Sequence, residues 1–311
     1  MAYNLKEWAQ RPERFTGGHR LCAGCGATPV VRTILRALKP EDHAIVSAAT
    51  SCLEVSSFLY PYTAWEDSFI HSAFENVAAT ISGAEAVFKA KMRKGEKVDN
   101  TKFIAFGGDG GTYDIGLQAL SGAMERGHDM VYVCYDNGAY MNTGIQRSSS
   151  TPRFAETSTT PAGTVVPGKL QRNKDLTLIM MGHHIPYVAQ TLPLGNFKDM
   201  SEKAERAIYT KGAAFMNILA PCPRGWRYDT SKLMDMCKLA VETCVWPMYE
   251  IVEGKLTLSY MPKNKLPVED YLKPQGRFRH MFEPGNEYMI EEIQKQTDEQ
   301  WEMLLKFNEM N

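Results

Sequence analysis

The sequence predicts an α/β protein built on a mostly parallel, doubly wound sheet, and three observations carry that reading. Short apolar runs alternate with longer segments of helical periodicity from about residue 30 to residue 244. Several of those runs stop abruptly in small, acidic or cysteine residues, as a buried strand does when it delivers a loop. The intervening helices are long enough to return the chain over a sheet, which implies βαβ units with helices on both faces.

Taken in order, residues 1–18 read as a polar N-terminal arm, and residues 17–26 as a glycine-rich loop carrying Cys22-x-x-Cys25. Pro29 sits where a first helical turn tolerates it, and Val30, Val31, Ile34, Leu35 and Leu38 follow at helical spacing. His43–Ala49 is a strand that ends in Thr50-Ser51-Cys52, residues 73–94 are helical, and Lys102–Phe106 is a strand. A helix over 113–126 leads to a strand over 130–135. Residues 138–168 are crowded with Ser, Thr, Gly and Pro and lack periodicity, which in a compact protein marks an active-site loop. Alternation resumes with a helix over 175–183, a strand over 185–190, a helix over 198–211 and a strand over 213–219. Pro221-Cys-Pro-Arg-Gly-Trp226 breaks the pattern before a helix over 231–244. The main domain therefore spans 19–254. Beyond it, residues 255–311 form a C-terminal extension with prolines at 262, 267, 274 and 284 and a final helix over 287–307. It reads either as an arm that contacts a partner subunit or the protein's own body, or as a small subdomain.

Composition narrows the class. A chain of 311 residues with 44% hydrophobic and 23% charged residues and a formal net charge of −1 has ample material for a large core. It offers no electrostatic case for nucleic acid or an anionic membrane. The N-terminus lacks the apolar stretch of a signal peptide and no run approaches a membrane span, so the expected location is the cytoplasm. Seven cysteines in such a chain point to metal ligation or buried thiols rather than a disulfide scaffold.

Two constellations carry chemistry. In Ile104-Ala-Phe-Gly-Gly-Asp-Gly-Gly-Thr112, the glycines at 107, 108, 110 and 111 let backbone N–H groups approach an anionic ligand. Asp109 supplies a hard carboxylate oxygen for a cation such as Mg²⁺, and Asn137, at the end of the next strand, can join it. Gly-Asp-Gly answered by Asn at this distance is the signature of thiamine diphosphate enzymes; a plain turn is the bland alternative. The second constellation is Cys22, Cys25, Cys52 and Cys222, four thiols from three segments, which suit a tetrahedral Zn²⁺ or a [4Fe–4S] cluster. Zinc ribbons pair two CxxC knuckles, and the second knuckle is missing here, so the spacing favours the cluster. Cys134, Cys237 and Cys244 read as buried small hydrophobes. Cys52, Asp109, Asn137 and Cys222 all fall just beyond strands, so one sheet edge can present them together.

Leu21-Cys-Ala-Gly-Cys-Gly26, Thr50-Ser-Cys52, Ala73-Phe-Glu-Asn-Val-Ala78, Gly107-Gly-Asp-Gly110, Tyr135–Gln146 and Ala220–Trp226 together resemble the β subunit of 2-oxoacid:ferredoxin oxidoreductases. The branch they resemble is pyruvate:ferredoxin oxidoreductase (pyruvate synthase), with the oxalate oxidoreductase β subunit a close sibling. The resemblance implies a thiamine diphosphate-binding fold, in its diphosphate-binding half. It implies one [4Fe–4S] cluster on Cys22, Cys25, Cys52 and Cys222, and Mg²⁺ on Asp109, Asn137 and the Ala139 carbonyl. Gly108, Gly110, Gly111, Thr143, His71, Glu75 and Asn76 would lie beside the cofactor and Asn142 close to the substrate. The implied partners are an α subunit that grips the aminopyrimidine, γ and δ subunits (separate or fused, with a ferredoxin-like domain), ferredoxin as electron acceptor, and coenzyme A if the substrate is pyruvate.

The chain departs from the pyruvate pattern at two places. Arg153-Phe-Ala-Glu156 stands where Tyr-Gly-Ala is common, and Gly138 where Glu is common. A cation on the active-site loop would suit a second substrate carboxylate, so Arg153 is a candidate substrate residue and oxalate the alternative substrate; otherwise Arg153 faces solvent. Two readings from other classes share parts of the pattern: a non-redox thiamine diphosphate decarboxylase, and a zinc-stabilised, non-catalytic interaction subunit.

Overall fold

A computed structural model describes residues 4–310. Its main sheet contains β1 (His43–Ala49), β4 (Ser68–Ser72), β5 (Thr101–Gly108), β6 (Met130–Asp136), β7 (Tyr187–Thr191), β8 (Ala213–Leu219), β9 (Tyr249–Val252) and β10 (Lys255–Leu258). The short strands β2 (Phe58–Leu59) and β3 (Tyr62–Thr63) make a separate hairpin. The eight strands lie in the order β10-β9-β7-β8-β6-β5-β1-β4. Six run parallel, from β7 to β4, and β9 and β10 add an antiparallel margin. The doubly wound α/β architecture expected from the sequence is therefore observed.

Strands β6, β7 and β8 are buried along their whole length because helices cover both faces. On one face, helices Ala27–Arg36 and Lys198–Tyr209 bury Val30, Ile34, Met200 and Ala204 against Val46, Phe106 and Val133. On the other, Val77–Arg93, Leu117–Glu125 and Leu176–Met181 bury Ile81, Leu120 and Met180 against Phe103, Tyr132 and Phe215. A third apolar cluster lies under helices Leu233–Glu242, Val268–Leu272 and Glu287–Glu309. No helix among the described residues is long and apolar enough to cross a membrane.

Several elements differ from the sequence reading. Strand β4 and the helix Cys52–Ser57 were not expected: the first is a half-exposed edge strand without an apolar run, and the second is only six residues long. The single helix expected over 113–126 is divided. Gly110–Ile115 forms a widened turn in which the Gly116 N–H reaches the Gly111 carbonyl at 2.9 Å, and the regular helix begins at Leu117. The helix expected over 231–244 ends at Glu242, which leaves Cys244 beyond it in left-handed backbone; the Cys237 and Cys244 thiols are nonetheless both buried. The 254/255 division falls inside a hairpin: Glu253 and Gly254 both have positive φ and join β9 to β10 in a two-residue turn. The residues beyond it cover the protein's own body, with Met289, Ile293 and Leu304 buried. In the N-terminal arm, helix Leu5–Gln10 and the following segment insert Trp8 and Phe15 into the core.

The strand order places a crevice. After β1 the chain turns into the helix Cys52–Ser57, whose Leu53 joins the first face; after the neighbouring β5 it turns to the opposite face, where Tyr113 and Leu120 pack. Adjacent parallel strands whose exits diverge leave a cleft at their carboxyl ends, the usual ligand position in such sheets.

Candidate active site

Thr50, Ser51 and Cys52 from the end of β1, Gly108–Gly111 from the end of β5, and Tyr135, Asn137 and Ala139–Thr143 from the end of β6 line that cleft, with Phe74 at its side. Cys222 follows β8 at the same edge. Parallel pairing in the order β8-β6-β5-β1 brings all four strand ends to one side, so Cys52, Asp109, Asn137 and Cys222 share an edge as expected.

At the floor of the cleft, the side-chain oxygen of Asn137 lies 3.0 Å from Asp109 Oδ1 and 2.9 Å from the Ala139 carbonyl oxygen. Three acceptors facing one another repel unless a cation lies among them or the amide turns over and donates to both neighbours. Adjacent vertices of an octahedron with 2.0–2.1 Å metal–oxygen bonds are about 2.9 Å apart, so the donor set and its spacing fit Mg²⁺. Asp109 is buried. Burial and the nearby Asp136 carboxylate push its pKa well above the ordinary carboxylate range, a penalty that a bound cation removes.

The loop expected over 138–168 has no regular structure, but it is pinned at its centre. Ser148 Oγ donates to Asp109 Oδ2 at 2.5 Å, Ser149 bonds Asp114 through both its N–H and its hydroxyl, and Ser150 Oγ donates to Asp136 at 2.5 and 2.6 Å. Lys169, 1% exposed, donates from Nζ to the carbonyls of Ser149 and Thr151. Ile145 and Phe154 hold left-handed backbone on either side, the local strain that accompanies over-determined loops at functional sites. The turn Met141–Ile145 is closed by Ile145 N–H to Tyr140 O, and Thr143 and Gln146 bond each other, leaving Asn142 and Thr143 exposed at the cleft mouth.

The four cysteines converge on one neighbourhood. Gly26 N–H donates to Pro221 O at 3.1 Å, and a Cβ at Gly26 would collide with the Ala220 backbone, so only glycine lets the CxxC loop dock on the segment holding Cys222. Burial, with the charge of Cys222 adding to it, pushes the Cys25 thiol up to about 11 and the Cys52 thiol up to about 12. Burial also raises Cys222, whose sulfur accepts from Gly225 N–H at 3.3 Å. Among the described residues no three His, Cys, Asp or Glu side chains close around a single point. A [4Fe–4S] cluster ligates each thiolate through a different iron, so its ligands need not share such a point, and the donor chemistry fits. Cys134, Cys237 and Cys244 are buried in apolar clusters or beside them, as expected of small hydrophobes.

Other expected residues lie elsewhere. His71 pairs with the buried Glu54 at the end of β4, Asn76 begins the helix Val77–Arg93, and Phe74 rather than His71, Glu75 or Asn76 lines the cleft. Arg153 does not line the cleft: its guanidinium pairs with Glu292 of the C-terminal helix at 2.6 Å and stacks on Phe154. The left-handed backbone at Phe154 and the bond from its N–H to Lys169 O set that direction. Sequence reasoning also passed over Ser148, Ser150, Lys169 and Trp226, whose indole N–H donates to Asn137 O at 2.6 Å. The run Ser148-Ser-Ser-Thr151 was the available signal: consecutive small hydroxyls cannot build a core and must hydrogen-bond to something.

Residues 48–218 match the thiamine pyrophosphate enzyme C-terminal TPP binding domain. The chain is 46% identical to pyruvate synthase subunit PorB of Thermotoga maritima, over 100% of this chain and 98% of that one. It is 49% identical to PorB of Methanocaldococcus jannaschii, over 94% and 97% of the two chains. The chain belongs to the β-subunit family of the 2-oxoacid:ferredoxin oxidoreductases. Within that β-subunit family, the ketoisovalerate oxidoreductase subunit VorB of Pyrococcus furiosus is 41% identical over 99% of this chain and 98% of its own. A 2-oxoglutarate:ferredoxin oxidoreductase from Magnetococcus marinus, solved with 2-oxoglutarate, coenzyme A and succinyl-CoA, shares the fold at TM-score 0.54 and 21% identity, over 91% of this chain and 92% of that one.

Proposed function

We propose that this β subunit carries thiamine diphosphate, Mg²⁺ and one [4Fe–4S] cluster in an oxidoreductase that oxidatively decarboxylates pyruvate, with coenzyme A taking the acyl group and ferredoxin the electrons. The observation that carries the proposal is the meeting of the Asp109 carboxylate, the Asn137 side-chain amide and the Ala139 carbonyl in a cleft bordered by Cys52. One sheet edge would then hold both the diphosphate with its cation and the electron acceptor.

When bound, thiamine diphosphate supplies the electron sink for decarboxylation of a 2-oxoacid, and the cluster supplies one-electron acceptance. The chain's own residues hold and orient. Asp109, Asn137 and the Ala139 carbonyl would grip the cation, and the Ser148 hydroxyl, by holding Asp109 Oδ2, leaves Oδ1 to be offered to it. Backbone N–H groups of Gly108–Gly111 border the diphosphate position. Asn142 and Thr143 present polar groups at the mouth, where the 2-oxoacid enters. Cys22, Cys25, Cys52 and Cys222 would hold the iron, and the Gly225 N–H that donates to the Cys222 sulfur would raise the cluster's potential.

Support for pyruvate over oxalate is twofold. The PorB relatives are named for pyruvate, and the reason for a second substrate carboxylate was a cation on the loop, whereas Arg153 is occupied by Glu292. The α subunit that grips the aminopyrimidine, and the γ and δ subunits with their ferredoxin-like domain, complete the enzyme in this reading. Viologen reduction by the purified complex tests it with pyruvate, 2-oxoisovalerate, 2-oxoglutarate and oxalate, each with and without coenzyme A. Coenzyme A-dependent turnover fastest with pyruvate is expected. Reduction by oxalate without coenzyme A, and none by pyruvate, overturns the substrate; stoichiometric zinc with no iron overturns the cluster.

A further inference from the structure

Residues 136–139 form a wall with two sides. Asn137 and Ala139 face the cleft, while Asp136 and Gly138 face a second cavity of about 70 Å³ between the loop and the C-terminal helices. That is room for several waters or one ligand of a few non-hydrogen atoms. Arg277 enters this cavity. It is 3% exposed, and its Nε donates to Gln275 at 2.9 Å. Its guanidinium stacks on Trp226 at 4.1 Å, and Nη1 lies 2.9 Å from where a Cβ on Gly138 would stand, so a side chain there would displace it. Among the described residues its terminal nitrogens meet no hydrogen-bond acceptor, and no carboxylate makes an ion pair with it. A desolvated guanidinium left in that state is costly. Asp136, the one carboxylate on the wall, has its oxygens taken by Ser150 Oγ and the Gly138 N–H. The rest of the lining is mostly apolar, including Trp246, Leu272 and Ile293, and the half-exposed Arg153–Glu292 pair borders it.

We propose that this cavity is a binding site for a small organic carboxylate, separate from the cofactor cleft, with Arg277 as its receptor. With Nε held by Gln275, the free Nη1–Nη2 edge matches a carboxylate, and the mostly apolar wall matches a short aliphatic remainder rather than an inorganic oxyanion.

Calorimetric titration of the intact, cofactor-depleted complex with acetate, 2-methylpropanoate and bicarbonate tests the site, using wild type, Arg277→Gln, Thr297→Phe and Asp109→Asn. Thr297 lines the cavity and its enlargement fills the space while leaving Arg277 in place. Saturable 2-methylpropanoate binding is expected, weakened at least tenfold by Arg277→Gln and by Thr297→Phe and kept in Asp109→Asn. No saturable binding to the wild type, binding of bicarbonate alone, or binding lost in Asp109→Asn but kept in both cavity variants overturns it. Should Arg277→Gln fail to fold, Thr297→Phe carries the comparison.

Discussion

The Ser148 hydroxyl donates to Asp109 Oδ2 at 2.5 Å, and that bond leaves Oδ1 as the oxygen turned toward Asn137. A loop residue 39 positions downstream therefore sets the aim of the carboxylate at the end of β5. Hydrogen bonds to charged groups contribute about 1.5–3 kcal/mol. Ser148→Ala is accordingly expected to weaken Mg²⁺–thiamine diphosphate binding roughly tenfold or more, read by calorimetry on the depleted complex. Unchanged affinity would show that Asp109 needs no such partner.

Removing the carboxylate itself has a larger effect. Asp109→Ala should abolish retention of thiamine diphosphate through gel filtration while the β subunit still assembles, since the deletion relieves a buried, raised-pKa group. Retained cofactor measured by thiochrome fluorescence would displace Asp109 from the metal site.

The cysteines divide by location. Cys52→Ser should remove the brown chromophore and lower iron from about four per chain, whereas Cys237→Ala, in the third apolar cluster, should keep both and cost about 1 kcal/mol of stability. Equal iron loss in the two variants would remove the distinction.

Arg153→Ala tests the loop assignment. Its half-exposed pair with Glu292 predicts a stability change within about 1 kcal/mol and an unchanged KM for the 2-oxoacid. A selective rise in KM would return Arg153 to the substrate.

Lys169 gives a pH signature. Burial, with Arg147 adding to it, holds its pKa down to about 8 from the ordinary 10.5. Between those values the unfolded chain binds more protons than the folded one, so stability rises with pH through that window and is lowest below it. The melting-temperature difference between wild type and Lys169→Met should move in favour of wild type from pH 8 to pH 10, by differential scanning fluorimetry. A constant or falling difference would mean the ammonium is not penalised.

By itself the sequence determined the alternation of buried strands and helices, the cofactor motif and the set of candidate ligands. Those features are local: Val131–Tyr135 is apolar enough to be a strand wherever it lies, and Gly-Asp-Gly is a loop motif whatever surrounds it. Even the shared edge of Cys52, Asp109, Asn137 and Cys222 followed, because parallel strands align their carboxyl ends. What the tertiary structure decided was direction. Whether Arg153 reaches the cleft depends on Phe154 backbone geometry and on Glu292, more than a hundred residues away. Strand β4 and the β9–β10 hairpin lack an apolar run or a strong turn pair, so pairing with neighbours, not propensity, makes them strands. The serines of the loop became positioning groups only because β5 and β6 place Asp109 and Asp136 beside them. A hydrogen bond across 39 residues is specified by the packing of the whole sheet, and no window of sequence contains it.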